Sequence, residues 1–467
     1  MDPSSRRRFI RHLIAVALAT PAAARSIVKP GTRVVVIGAG VAGLAAARDL
    51  KAAGSVVTVL EGRSRIGGRV VTDRTKFGRP IEMGAQFIHG QSNGRTLNPI
   101  WDLAQKQGWA TVPFSSETGQ AYRNGVALTD SQDGAFNALG EDFLDWVIND
   151  LKENTLAANN TMYSMESALK AYVSANKLTS QQAIDLRAYL AVGIEGDFGC
   201  DTSRLSVVAF DEDSEFAKGG DQQIVNGYDQ LPTMLCQGLT VVTDCIVKSV
   251  NYAAKPVRVL TSKGVFACEH VLVTVPLGVL RKGSIAFAPA LPTAKRAAIA
   301  RMNMGVLDKV ILQFPSRFWP SGNWFTNIEG ADPYGFAFSS LEASQPGSNI
   351  LVAWQFGQLA VQREALADTA LVKLVMSEVR RCFKGITVPE PVKTAITRWS
   401  QDPFSYGSYS FPCTGSPRSD ISALAAPVNK TLFFAGEATN ADYPGTVHGA
   451  YLSGVREAKR IIAAASA

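Results

Sequence analysis

Residues 33–61 read RVVVIGAGVAGLAAARDLKAAGSVVTVLE. Arg33–Ile37 is short, continuous and β-branched, the pattern of a strand buried on both faces of a parallel sheet. Gly38-Ala39-Gly40-Val41-Ala42-Gly43 follows directly, then the helix formers Leu44–Leu50, then a second strand, Val56–Leu60, closed by Glu61. Strand, glycine turn, helix, strand and acid together form a complete β-α-β unit carrying the G-x-G-x-x-G dinucleotide fingerprint. Gly38 permits the tight turn, Gly40 admits a pyrophosphate to the backbone, and Gly43 lets helix and strand pack closely. Val41 and Ala42 open the helix, whose free N–H groups and positive dipole attract phosphate. Glu61 is placed to accept from ribose hydroxyls.

The fingerprint alone does not separate NAD from FAD. The next residues, Gly62 to Val70, add a second glycine pair, Gly67-Gly68, and Arg69. The glycines allow this loop to lie on the diphosphate, and Arg69 offsets its charge.

Bulk composition sets the frame. The chain has 467 residues with 46% hydrophobic content, enough for more than one core. The formal net charge is +7, part of it from Arg6, Arg7, Arg8 and Arg11. No basic stripe for nucleic acid is present. The six cysteines include no C-x-x-C spacing, so a zinc or dithiol site has no support. Scattered buried thiols are expected, with a single disulfide left open.

Residues 5–11, Ser-Arg-Arg-Arg-Phe-Ile-Arg, precede an apolar run, Leu13–Ala19, and then Pro21 and Ala22-Ala23-Ala24. This is the layout of an export signal over residues 1–24, and Ser5-Arg6-Arg7-x-Phe9-Ile10 resembles its twin-arginine form. A periplasmic location is expected. The apolar stretch falls short of the ~20 residues needed to span a bilayer, so no stable membrane insertion is expected.

Further motifs run along the chain in order. They are Met83-Gly84-Ala85-Gln86-Phe87-Ile88-His89-Gly90, then Gly219-Gly220-Asp221 with Asn226–Leu231, then Val271–Leu280. Arg398-Trp399-x-x-Asp402-Pro403 with Gly407–Ser410 follows, and Phe433–Thr439 runs into Tyr443–Ala450. Together they resemble the flavin amine oxidases, nearest in pattern to polyamine and spermine oxidases and lysine-specific histone demethylases.

The resemblance implies a Rossmann-like FAD-binding domain (α/β) joined to a discontinuous mixed sheet-plus-helix substrate domain (α+β). The FAD-binding pieces would be residues 31–90, 215–290 and 396–467; the substrate domain would take 91–214 and 291–395. Helical spacing is read at Ala135–Leu151 and Ala370–Phe383, and strands at Val310–Phe314 and Ile350–Phe356. The implied activity is hydride transfer from the carbon beside an amine nitrogen to flavin N5, then hydrolysis of the imine and reoxidation by O2 to peroxide.

Residue roles follow from the same resemblance. Gly68, Arg69, Gly84, Ala85, Val247, Pro276, Trp399 and Gly436 join the fingerprint residues at FAD. Glu437 accepts from the ribityl chain. Thr446 and Val447 open a helix whose N–H groups stabilise reduced flavin. Trp399 and Tyr443 wall the amine site, where an aromatic face attracts an ammonium. Lys309, inside an apolar strand, is implied to hold a water at flavin N5 and assist reoxidation. His89 is implied to lie near the substrate tunnel, although a satisfied core histidine fits it equally well. Ser408 stands where monoamine oxidases carry a flavin-bonded cysteine, so FAD is expected to be non-covalent. No arginine follows Gly84-Ala85 before Arg95, which counts against L-amino-acid substrates. Glu195 and Asp197 are possible tunnel carboxylates, with solvated surface acids the blander reading. An amine dehydrogenase using a periplasmic carrier and a non-catalytic flavoprotein are the competing readings.

Overall fold

A computed structural model describes residues 29, 31–114, 119–157, 159–210, 218–328 and 337–466. The export signal read at residues 1–24 lies outside them.

The β-α-β unit forms as the sequence dictates. Arg33–Ile37 and Val56–Leu60 pair in parallel, with Val41–Ala52 as the crossover helix. Three more parallel strands extend the sheet to the order Thr240–Val242, Val56–Leu60, Arg33–Ile37, His270–Val273, Leu432–Phe434. Alternation along the central strand feeds two cores. Val34 and Val36 pack under the helices Val41–Ala52 and Val447–Ser466, whereas Val35 and Ile37 face a second layer. That layer is a four-stranded sheet ordered Gly264–Cys268, Val257–Thr261, Val247–Asn251, Ala286–Ala288.

Burial on both faces explains why these strands read as continuous apolar runs. The two helices meet at a glycine contact. A Cβ on Gly454 would collide with the Ala42 carbonyl, so only glycine permits this approach.

The other lobe is built on a seven-stranded sheet ordered Lys393–Ile396, Leu307–Gln313, Ile350–Phe356, Ala337–Ser340, Trp324–Asn327, Gly119–Arg123, Val126–Ala127. Val310 and Leu312 point to the amphipathic helix Asp368–Cys382 and bury its Leu371, Val375 and Val379. Lys309 and Ile311 point to the opposite face, because side chains alternate along a strand. A helical group, including Asp130–Asp145, Met165–Ala175 and Ser180–Leu190, closes over that face around Phe143, Leu186 and Phe210. A three-stranded sheet, Phe87–Ile88, Asp221–Ile224 and Thr111–Phe114, stitches sequence-distant pieces together beside it.

The helix expected over Ala135–Leu151 runs from Asp130 to Asp145 and continues as a π-helical turn to Thr155. All six cysteines are free, and five are buried. Among the described residues no helix is long and apolar enough to cross a membrane.

Candidate active site

One cavity of about 1560 Å³ runs from the glycine turn of the parallel sheet to the inner face of the seven-stranded sheet. At the glycine end it is lined by Gly38, Gly40, Val41, Ala42, Glu61, Gly68, Arg69 and Val247. Gly84, Ala85, Pro276, Trp399, Gly436, Glu437, Thr446 and Val447 line its middle, and Lys309, Tyr443 and His89 also border it. Of the residues assigned to FAD from sequence, Gly43 alone does not line it. A Cβ there would collide with the Gly38 carbonyl, so Gly43 serves helix-to-turn packing.

A dinucleotide fits the glycine end. A Cβ built on Gly40 meets nothing within 4 Å, so the backbone there faces open space. The helix Val41–Ala52 has no side-chain cap and no acid in its first turn. Its leading N–H groups are thus left for an anion. Glu61 is buried and held in place by N–H donors from Ala39 (2.8 Å) and Arg63 (2.9 Å), which aim its carboxylate at the cavity wall.

Arg69 lines the cavity and is also paired with protein groups. Its Nη1 donates to the Glu437 carboxylate (2.9 Å) and to the Ser408 carbonyl (2.8 Å), which directs it toward Glu437. Glu437 also accepts from Ser410 Oγ (2.5 Å) and Gly445 N–H (2.9 Å). This buried charge is therefore paired and hydrogen-bonded, the condition for keeping it inside. Gly445 leads into the Val447–Ser466 helix, so Glu437 also anchors that helix's start. Ser408 bridges to Leu307, donating to its carbonyl (3.0 Å) and accepting from its N–H (2.8 Å).

Lys309 is only 1% exposed, which rules out a strand-edge lysine reaching solvent. Its Nζ donates to the Glu82 carbonyl (2.9 Å), the Gly84 carbonyl (2.8 Å) and Gln86 Oε1 (2.9 Å). It also sits 4.6 Å from the centre of the Trp354 ring. Burial drives its pKa down, opposed by the charge of Glu82. Burial likewise drives Glu82 up, although hydrogen bonds from Tyr228 N–H and Thr72 and the charge of Lys309 oppose it. An expected water on Lys309 thus competes with three protein acceptors for its three ammonium protons.

Trp399 is buried, and its backbone N–H donates to Asp308 (3.0 Å) on the strand that carries Lys309. Tyr443 packs edge-on against His448, ring centroids 4.9 Å apart. The seven-stranded sheet adds Trp354, Phe356 and Trp324 to the lining, none singled out from sequence. Their signal was the two-residue spacing of Trp354 and Phe356 in a strand, and Trp354 pairs directly with Lys309 across the ladder.

His89 lines the cavity with its Nδ1 3.0 Å from Asp221 Oδ2, while Gly90 N–H holds the other oxygen (3.0 Å). It is therefore not a core histidine. Burial would lower its pKa, but the hydrogen bond and charge of Asp221 outweigh it and the net shift is upward. Asp197 also lines the cavity, and burial raises its pKa to about 6 despite the opposing charge of His89. His448 is pushed down to about 3 by burial and by His89. The surface-acid reading fails for Glu195, whereas Asp197 is exposed. Glu195 is buried, paired with Arg187 (2.9 Å) and capped by Thr202 N–H (2.7 Å), so it is structural. Asp197 faces the cavity.

A dinucleotide cradle and a buried lysine, joined by one cavity, define a dinucleotide-binding protein with a second chamber beside the cradle. Comparison with known proteins narrows the class. The family model for flavin containing amine oxidoreductases matches residues 41–462. Rice polyamine oxidase 4 is 33% identical, over 99% of this chain and 94% of its own length. Lysine-specific histone demethylase 1 homolog 1 of Arabidopsis thaliana is 36% identical over 92% of this chain, and human lysine-specific histone demethylase 2 is 34% identical over 92%. The chain spans about half the length of those two demethylases (52% and 53%). A solved structure of a redesigned putrescine oxidase superposes with a TM-score of 0.73 at 20% identity, covering 93% of this chain and 99% of the other. The chain belongs to the flavin-containing amine oxidoreductase family, and its cofactor is FAD.

Proposed function

We propose that this enzyme oxidises a polyamine or diamine with FAD held non-covalently and O2 as the electron acceptor, giving an aldehyde, an amine or ammonia, and hydrogen peroxide. The observation that carries this is the charge of the cavity. Asp133, Glu141, Asp197 and Asp221 line it beside the aromatic lobe, against Lys309 and His89 among the described residues. The arginines of the lining are engaged elsewhere: Arg63 with Asp402, Arg69 with Glu437, Arg418 with the Ala441 carbonyl. Carboxylates spaced along an apolar channel suit a chain with several positive charges. Among the described residues an α-carboxylate would meet more acids than bases at this end, which disfavours amino-acid substrates.

When bound, FAD supplies the two-electron chemistry, taking hydride from the carbon beside the nitrogen. The protein's own residues bind and orient. Trp399, Tyr443 and Trp354 offer faces that hold the alkyl chain and favour loss of the reacting amine's proton by withholding water. Asp197 and Asp221 take the far ammonium and fix the register of the chain. The helix starting at Val447 and the Lys309 amine present positive potential where negative charge develops. Ser408 in place of a cysteine supports non-covalent attachment. Cys245, which lines the cavity, sits beside Glu61 at the opposite end. The Ser5–Ile10 pattern supports export to the periplasm.

The test is peroxide formed per spermidine or putrescine consumed. A one-to-one yield supports the oxidase. Substrate loss without peroxide, restored by an artificial electron acceptor, turns the reading to a dehydrogenase. A methylated lysine in a peptide is the second reading, favoured by the 36% identity to a demethylase. Release of formaldehyde from such a peptide, without turnover of polyamines, would establish it instead.

A further inference from the structure

Lys309 has three hydrogen-bond partners, and they are chemically unequal. Two are the main-chain carbonyls of Glu82 and Gly84, which only accept. The third is the side-chain amide of Gln86, which is 7% exposed and also lines the cavity. An ammonium brings three N–H donors and matches three acceptors, as the structure shows. A neutral amine brings two N–H donors and one lone pair, so it needs two acceptors and one donor. Neither carbonyl can become a donor. Gln86 can, by turning its amide through half a circle to present Nε2 in place of Oε1.

We propose that Gln86 is the positioning residue that governs the protonation state of Lys309, its amide accepting from the ammonium and donating to the neutral amine. Both charge states of the buried lysine are then satisfied without leaving a polar atom unpaired, which burial would otherwise penalise. The one titratable group acting on Lys309 among the described residues is Glu82. Its carboxylate is turned away, accepting from Tyr228 N–H (2.7 Å) and Thr72 Oγ1 (2.9 Å). Trp354 covers the remaining side and favours the cation. Gln86 is thus the adaptable member of the shell. The inference rests on the reading that Lys309 faces the bound flavin.

The pH titration of the visible absorption spectrum of the oxidised holoenzyme tests this without turnover. The wild type should titrate with a midpoint below the ordinary lysine range, and Lys309→Met should abolish that transition. Gln86→Glu supplies an anionic acceptor when ionised, so the midpoint should rise by about one pH unit or more. Gln86→Met keeps the length but loses both donor and strong acceptor, so the midpoint should fall. Glu82→Gln should also lower it through the lost charge, and the double variant with Gln86→Met should lower it further, which shows that the two groups act separately. If both Gln86 variants bind FAD and titrate like the wild type while Lys309→Met abolishes the transition, the proposal for Gln86 is overturned. If the transition survives in Lys309→Met, the underlying reading of Lys309 is the part that fails.

Discussion

The two ends of the cavity are built by opposite means. At the glycine end the backbone does the binding, through a turn, a helix start and close glycine contacts from nearly contiguous residues. The end proposed to take the amine is lined by side chains that arrive from remote parts of the chain: His89, Asp197, Asp221, Lys309, Trp354, Trp399 and Tyr443. A backbone site tolerates no added atom but little depends on side-chain identity. A side-chain site keeps its fold through substitution, yet its chemistry changes with each residue.

The largest effect should therefore come from the backbone end. In Gly43→Ala the new methyl strikes the Gly38 carbonyl, which cannot move without breaking the turn. A loss of about 3 kcal/mol or more in stability is expected, read by thermal melting and FAD content. Gly40→Ala is the sharp contrast, because its methyl meets no protein atom within 4 Å. Melting of the apoprotein should be unchanged while FAD affinity falls about tenfold or more. Equal melting of the two apoprotein variants would break the comparison.

At the other end, Lys309→Met should leave folding and FAD content intact but lower flavin reoxidation or reduction by about a hundredfold, measured by stopped-flow. Unchanged rates in both half-reactions would remove Lys309 from the mechanism.

Asp197→Asn and Asp221→Asn should each raise KM for a diamine by about tenfold, with a small effect on a monoamine. An equal effect on both substrates would mean the acids shape the cavity instead of reading a second charge.

The smallest effect is on pH. Asp197 becomes an anion as pH rises through about 6, and His89, whose pKa is raised by Asp221, loses its positive charge as pH rises further. Both changes favour a second ammonium. KM for a diamine should thus fall a few-fold across the slightly acidic to neutral range, and His89→Gln should flatten part of that slope.

The same contrast explains what could be read from sequence. Arg33–Ile37 and Val56–Leu60 emerge with the bounds their β-branched runs imply, because local pattern and glycine chemistry suffice there. Lys309 was visible as an unexplained charge in an apolar strand. Trp354 was not, since its role depends on the register of Leu307–Gln313 against Ile350–Phe356, which no local pattern encodes. Asp197 and Glu195 look alike in sequence; only the tertiary position of Arg187 and Thr202 N–H makes one structural and leaves the other facing the cavity. The pairing of Arg69 with Glu437 joins residues 368 positions apart, which no local pattern encodes.

The most direct measurement adds spermidine to the purified, coloured protein without oxygen and then identifies what acid releases. The account predicts bleaching of the flavin spectrum by the amine and quantitative release of intact FAD. A spectrum unmoved by any amine, or a released nucleotide other than FAD, would contradict it.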